Sequence, residues 1–134
     1  MNQSPPAKSK QPSSQKLVLI VDDNDLIRST LRMLLSDMGY ESIEAPNGYE
    51  GVINYWCFES RISFVLLDLE MPVLDGLSTL KDLILINPDV KVVMVTGSLD
   101  GTLKQKIKAI KNIPIIKKPF NFTELEKVIN EFDG

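Results

Sequence analysis

The sequence has 134 residues, of which 43% are hydrophobic and 25% are charged, and these proportions are typical of one soluble domain with a buried core. It contains no histidine, which excludes Ser-His-Asp and Cys-His catalysis and every histidine-ligated metal site, and its single cysteine excludes an internal disulfide. No apolar run approaches the roughly 20 residues that span a bilayer, and no secretory signal is recognisable. We therefore expect a cytoplasmic protein without membrane contact.

The formal net charge of −3 is divided unevenly along the chain. Residues 1–16 carry three lysines, three prolines and no acidic or large apolar residue except Met1, so we predict a disordered basic tail there. The other 12 basic residues and all 18 acidic residues lie in residues 17–134, which therefore have a net charge of −6. DNA binding is not expected of such an acidic body, because it requires neutralisation of phosphates.

Short apolar segments alternate with segments of helical periodicity throughout residues 17–134. The predicted strands are 17–21, 41–45, 63–67, 91–95 and 113–117. Helical stripes lie between and after them, and the least regular helix is the second, over 47–59, since Gly48 and Gly51 weaken it. We interpret Trp56 and Cys57 in that helix as packing residues. Five strands that alternate with five helices predict an α/β fold with a doubly wound parallel sheet.

Polar side chains follow four of the predicted strands. Asp22 and Asp23 follow the first strand, Asp68 the third, Thr96 the fourth and Lys118 the fifth. The carboxyl ends of parallel strands share one edge of a sheet, so these groups are expected to lie together. Three close carboxylates repel one another, and Mg²⁺ is the cation that suits them; a lysine and a hydroxyl opposite it would complete a phosphoryl-binding site.

A simpler explanation exists for part of this pattern, because Asp23 or Asp25 is also suited to cap the first predicted helix. Taken alone, Asp68, Thr96 and Lys118 also have ordinary explanations as a turn residue, a strand-end hydroxyl and a solvated lysine. The combination of all these groups at one sheet edge is what favours a phosphoryl site.

The same residues resemble the receiver domain of two-component response regulators, of the chemotaxis-regulator type. The run DLEMPVLDG (68–76) matches the family motif D-x-x-M-P-x-x-D/N-G, and VDDN (21–24), VTG (95–97) and KKPF (117–120) follow the family's order. The resemblance covers residues 17–134 and implies a (βα)5 fold, flavodoxin-like, with a five-stranded parallel sheet in the strand order 2-1-3-4-5.

The resemblance also implies roles for individual residues. Asp68 would be the phosphoacceptor, while Thr96 and Lys118 would contact the phosphoryl group and a cis Lys118-Pro119 bond would aim the lysine. The ligands implied for Mg²⁺ are Asp22, Asp23, Asp68 and the backbone carbonyl of Glu70. The resemblance implies a sensor histidine kinase or a histidine phosphotransfer protein as the donor, and the lack of histidine means that this chain cannot be that donor itself. Such a domain is not an enzyme and assists only its own phosphorylation and dephosphorylation.

Two features depart from the family pattern or extend beyond it. Ile115 stands where the family usually has a switching aromatic residue, and Glu70 and Ser98 are expected to modulate the site. A lysine-rich segment also predicts an acidic-partner surface on one face of the fourth helix, at Lys104, Lys108 and Lys111; the alternative is a solvated helix face. We expect a monomer or a weak dimer through the fourth helix, fifth strand and fifth helix.

We therefore predict a stand-alone phosphoacceptor domain that signals to an unidentified protein by phosphorylation-dependent contact. Related alternatives are an intermediate of a phosphorelay and a receiver excised from a hybrid kinase. The alternative from another class is an aspartyl-phosphate phosphatase of the haloacid-dehalogenase type. In that enzyme class a second Asp stands two residues after the nucleophile, where this chain has Glu70.

Overall fold

The computed structural model describes residues 16–71, 73–98 and 100–133. The predicted tail lies outside these residues except for Lys16, which belongs to the first strand. The strands are β1 (Lys16–Val21), β2 (Tyr40–Ala45), β3 (Ile62–Asp68), β4 (Val92–Thr96) and β5 (Ile115–Lys117). The helices are α1 (Asp25–Asp37), α2 (Gly48–Phe58), α3 (Gly76–Ile86), α4 (Gly101–Ile110) and α5 (Phe122–Asp133).

The five strands form one parallel sheet in the order β2-β1-β3-β4-β5, which confirms the predicted fold. Two apolar cores cover its faces: α2, α3 and α4 pack on one side, and α1 and α5 on the other. The central strands are buried on both faces, which is why their sequences are continuously apolar. No helix in the described part of the chain combines the length and apolarity needed to cross a bilayer.

Asn24 caps α1, and this excludes the simpler explanation for the acidic residues beside it. The Asn24 side chain accepts a hydrogen bond from the Ile27 N–H at 3.0 Å, so neither Asp23 nor Asp25 is the cap. At the other end of the helix, Gly39 has a φ of 95°, as expected of a residue that follows a helix in the left-handed conformation. Asp23 is therefore available for another role.

The two glycines that weaken α2 as a helix are required by its packing. A Cβ atom at Gly48 would lie 2.0 Å from Thr79 Oγ1, and one at Gly51 would lie 2.9 Å from a methyl group of Val21. The interpretation of Trp56 and Cys57 as packing residues is wrong, because Trp56 is 71% exposed and Cys57 is exposed as well. The inner face of this helix consists instead of Gly48, Gly51 and Tyr55.

The fifth strand is shorter than the predicted 113–117 and begins at Ile115. Pro114 has no N–H to donate, although its carbonyl still accepts a hydrogen bond from the Met94 N–H at 3.0 Å. The shorter strand leaves its carboxyl end, and with it Lys118, at the edge of the sheet where the sequence predicts the site.

Candidate functional site

Three carboxylates meet at the carboxyl edge of the sheet. Asp68 is the last residue of β3, and Asp22 and Asp23 directly follow β1, the strand next to β3. One oxygen from each carboxylate lies within 4.8 Å of the others. Asp22 and Asp68 are each only 3% exposed, whereas Asp23 is exposed. The adjacent strands thus place two buried carboxylates and one accessible carboxylate in a single cluster.

Lys118 lies against this cluster. Its Nζ atom is 2.9 Å from Asp22 Oδ2 and 3.4 Å from Asp68 Oδ1. Its backbone N–H donates to the Thr96 carbonyl at 2.7 Å, and the Lys118-Pro119 peptide bond is cis, as the resemblance implies. The neighbouring Lys117 is exposed. The structure therefore brings Lys118 to the carboxylates.

Burial and charge change the acidity of this group of residues. Burial, together with the negative charge of Asp22, raises the pKa of Asp68 to about 6, although Lys118 and the Glu70 N–H oppose the shift. Burial alone would lower the pKa of Lys118, but its hydrogen bond to Asp22 and the charges of both carboxylates outweigh burial and raise it. Three ionised carboxylates and one ammonium would carry a net charge of −2.

The loops around the cluster are joined by hydrogen bonds. Thr96 is fully buried, and its hydroxyl donates to the Ser98 carbonyl at 2.9 Å and accepts from the Ser98 N–H at 3.2 Å. Glu70 donates its N–H to Asp68 at 3.3 Å, and its carboxylate accepts from the Gly97 N–H at 3.3 Å. Glu70 thus connects the loop after β3 to the loop after β4.

Ile115, in place of the usual aromatic residue, lies in the edge strand β5. It is half-buried in β5, where it pairs with Met94, and it packs against the core beneath α2, α3 and α4. An aliphatic side chain in this environment completes the core at the edge of the sheet.

The three lysines predicted to share a face of α4 do not do so. Lys111 lies just beyond the helix, as its C-cap, and donates to the Pro88 carbonyl at 2.9 Å. Lys108 lies in the last turn of α4 and donates to the carbonyl of Ile113. At this end of a helix a positive charge also interacts favourably with the helix dipole. Lys104 remains exposed on the helix surface.

Arg28 is a residue near the site that the sequence reasoning missed. It lies in the first turn of α1, is 11% exposed, and donates hydrogen bonds to the backbone carbonyl of Asp22 and the carboxylates of Asp25 and Glu44. The one sequence signal was its spacing of three residues from Asp25, which on a helix places opposite charges in contact. That spacing is too common on helices to indicate a site.

The acidic cluster occupies the point at which the strand order reverses. From β1 the chain goes to β2 at one edge and then crosses to β3 on the other side of β1, and ligands of doubly wound sheets bind at this point. The fold and the site together define a CheY-like domain. Residues 18–130 match the family model described as the response regulator receiver domain. The chain therefore belongs to this family of signalling domains of two-component systems.

Relatives of very different size share this domain. The chain is 33% identical to the chemotaxis protein CheY of Thermotoga maritima, covering 87% of this chain and 96% of that protein. It is 27% identical to the sensor kinase CckA of Brucella abortus, covering 92% of this chain but only 13% of the kinase. Among solved structures, the CheX–CheY–BeF3–Mg²⁺ complex of Borrelia burgdorferi matches with a TM-score of 0.81 and 28% identity, covering 87% of this chain and 89% of the matched one.

Proposed function

We propose that this receiver domain accepts a phosphoryl group on Asp68 from a phosphohistidine of a kinase or phosphotransfer protein, and that phosphorylation changes its contact with a further protein in the cytoplasm. The observation that carries the proposal is the cluster of Asp22, Asp23 and Asp68 with Lys118 in contact. A separate regulator, a phosphorelay intermediate and the receiver of a hybrid kinase would all use this same chemistry.

The donor set fits Mg²⁺. Its carboxylate oxygens are hard ligands, and the net charge of −2 on the cluster matches a divalent cation. Asp22, Asp23, Asp68 and the Glu70 carbonyl would hold the ion, which when bound would neutralise charge on the transferring phosphoryl oxygens. The relative of known structure from Borrelia, whose complex contains BeF3 and Mg²⁺, supports the assignment by similarity.

The chain's own residues supply the rest of the reaction. An ionised oxygen of Asp68 forms the new bond to phosphorus while the bond from phosphorus to the donor nitrogen breaks, and the imidazole leaves with its electron pair. The Lys118 ammonium stands beside Asp68 and would pair with the phosphoryl oxygens. Thr96 would turn its hydroxyl from Ser98 towards the phosphoryl group. Positioning and charge neutralisation are the main contributions a protein makes to such a transfer.

Incubation with acetyl phosphate and Mg²⁺ tests this proposal directly. We expect intact-mass measurement to detect one added phosphoryl group on the wild-type protein, none on Asp68→Ala, and none on the wild type in EDTA. An equal adduct on Asp68→Ala would contradict the assignment of the acceptor. Sustained hydrolysis of para-nitrophenyl phosphate without any adduct would instead favour the phosphatase alternative.

Glu70 is proposed to tune the site through its carboxylate charge. In Glu70→Gln the side chain can still accept a hydrogen bond from the Gly97 N–H, but one negative charge near the cluster is removed. We expect Mg²⁺ to bind about two- to five-fold more weakly and, at saturating Mg²⁺, the phosphorylated form to have a different lifetime, since an exposed charge contributes up to about 1 kcal/mol. Titration calorimetry and mass spectrometry measure the two quantities. Unchanged values in both Glu70→Gln and Glu70→Asn would remove the Glu70 side chain from the mechanism.

The α4 surface is proposed as a contact site for an acidic partner. Lys104 is the residue that tests it, because Lys108 and Lys111 already bind backbone carbonyls. A second copy is one acidic partner, and we expect the protein with beryllofluoride and Mg²⁺ to self-associate weakly in sedimentation experiments. Lys104→Glu should weaken that association several-fold, while Lys106→Glu, on another side of the helix, should weaken it less. Equal association of wild type and Lys104→Glu would contradict this surface.

A further inference from the structure

We propose that Arg28 is a positioning residue for the metal cluster. It would hold the peptide group between Asp22 and Asp23 in the orientation that lets both carboxylates bind a divalent cation. This inference rests on the proposed function, because it concerns the affinity of the same Mg²⁺ site.

The Arg28 guanidinium binds the backbone of the acidic loop and not only its side chains. Nη1 donates to the carbonyl oxygen of Asp22, which belongs to the peptide group that joins Asp22 to Asp23. Nε donates to Glu44 Oε1 at 3.1 Å, and Nη2 donates to the Asp25 carboxylate. One side chain therefore connects the loop after β1, the start of α1 and the edge strand β2.

The backbone of Asp22 is thereby attached to β2 through both of its peptide groups. Its N–H donates to the Ala45 carbonyl, at the end of β2, at 3.1 Å. Its carbonyl is held by Arg28, which is itself held by Glu44 of β2. These two attachments hold the peptide groups on either side of the Asp22 Cα atom, and Arg28 provides the one on the peptide group that precedes Asp23.

Each oxygen of the Asp22 carboxylate also accepts one hydrogen bond. Its Oδ1 accepts from the Asn24 N–H at 2.9 Å and its Oδ2 from Lys118 at 2.9 Å. Asp23, by contrast, is exposed. The direction of its carboxylate therefore depends on the backbone around it, and Arg28 binds that backbone directly.

Arginine suits this role better than lysine. Three acceptors lie in different directions around a side chain that is only 11% exposed, and the rigid guanidinium fork can donate to all three at once. An ammonium group on a flexible stem would not hold the same three groups in one plane. Arg32 is the matched control, because it also pairs with Glu44, at 3.4 Å, but its side chain is 57% exposed and, within the described part of the chain, Glu44 is its one ionic partner.

The test is Mg²⁺ affinity, measured by titration calorimetry on the full chain. We expect Arg28→Ala and Arg28→Lys to bind Mg²⁺ about ten-fold or more weakly, in line with the usual effect of removing a residue that orients metal ligands. Arg32→Ala should stay within two-fold of the wild type. Urea unfolding without Mg²⁺ identifies the variants that remain folded, and Arg28→Lys serves if Arg28→Ala does not fold.

The sign of the change separates positioning from other roles. If Arg28 acted only through its charge, removing a cation near the site would strengthen Mg²⁺ binding. If it acted only on stability, unfolding would shift while the affinity of the folded protein stayed constant. Either result in a folded Arg28 variant would overturn the inference. Asp23→Ala separates the two proposals: if wild type and Asp23→Ala bind Mg²⁺ equally, the metal site itself is refuted, whereas loss in Asp23→Ala without loss in Arg28→Ala refutes only the role of Arg28.

Discussion

Asp68→Asn is expected to be more stable than the wild type at pH 7 and above in the absence of Mg²⁺, by about 2 kcal/mol in the free energy of unfolding. The buried carboxylate has a pKa of about 6 instead of 3.8, because burial and the charge of Asp22 oppose its ionisation. Each pKa unit corresponds to about 1.4 kcal/mol, and we reduce the full value because an amide accepts a weaker hydrogen bond from the Glu70 N–H than a carboxylate does. An amide of the same shape carries no charge to bury.

The pH dependence has a definite sign. Between pH 4 and about pH 6 the folded protein holds a proton on Asp68 that the unfolded chain releases, so this group lowers the free energy of unfolding as the pH rises. The stability difference between Asp68→Asn and wild type should therefore be small near pH 4, grow up to about pH 6 and stay constant above it. Urea unfolding in EDTA between pH 4.5 and 8 measures this difference.

The exposed carboxylate of Asp37 provides the control. Asp37→Asn should change the free energy of unfolding by no more than about 0.5 kcal/mol at any of these pH values, as is usual for surface substitutions. Added Mg²⁺ should reduce the difference in the free energy of unfolding between Asp68→Asn and wild type. A ligand that binds the folded state stabilises it, and the wild type keeps the Asp68 carboxylate that is proposed to bind Mg²⁺. A variant no more stable than wild type above pH 7 would refute the proposed burial penalty at Asp68. The residue proposed to accept phosphate is thus expected to reduce the stability of the free domain.

The position of the site could be predicted from the sequence because local patterns determine it. Asp68 follows a short apolar run, and the length of this run between polar segments favours a strand buried on both faces. The residue after a strand lies at its carboxyl edge whatever the rest of the chain does. Asp22, Thr96 and Lys118 could be placed by the same reasoning, since each ends or directly follows a strand of the structure.

The role of Arg28 could not be predicted, because its partners come together only through tertiary structure. Glu44 lies 16 residues away in the sequence and approaches Arg28 because β2 pairs with β1. The exposure of Trp56 escaped prediction for a related reason. The α2 sequence is apolar on most sides, so its periodicity does not identify the buried face, and the close approaches at Gly48 and Gly51 decide it. Lys111 was misplaced because the end of α4 lay one residue earlier than the lysine spacing indicated.

Lys118→Ala is expected to destabilise the Mg²⁺-free protein by about 2–3 kcal/mol at pH 7. Removing one partner of a buried ion pair leaves the other charge uncompensated and costs about 3–5 kcal/mol, and the 20% exposure of the Lys118 side chain reduces that effect here. Asp22, at 3% exposure, would lose the ammonium that binds its Oδ2. Lys117→Ala, in the exposed neighbour, should change the free energy of unfolding by less than about 0.5 kcal/mol.

The combination of Lys118→Ala with Asp68→Asn separates charge from packing. If the loss in Lys118→Ala arises from unpaired carboxylates, then Asp68→Asn removes one of them, and the double variant should be more stable than the sum of the single effects predicts, by about 1 kcal/mol. Mg²⁺ should stabilise Lys118→Ala more than it stabilises the wild type, since the cation replaces the missing positive charge. Strict additivity together with equal stabilisation by Mg²⁺ would mean that Lys118 contributes through packing of its stem, and the charge balance inferred for the site would be wrong.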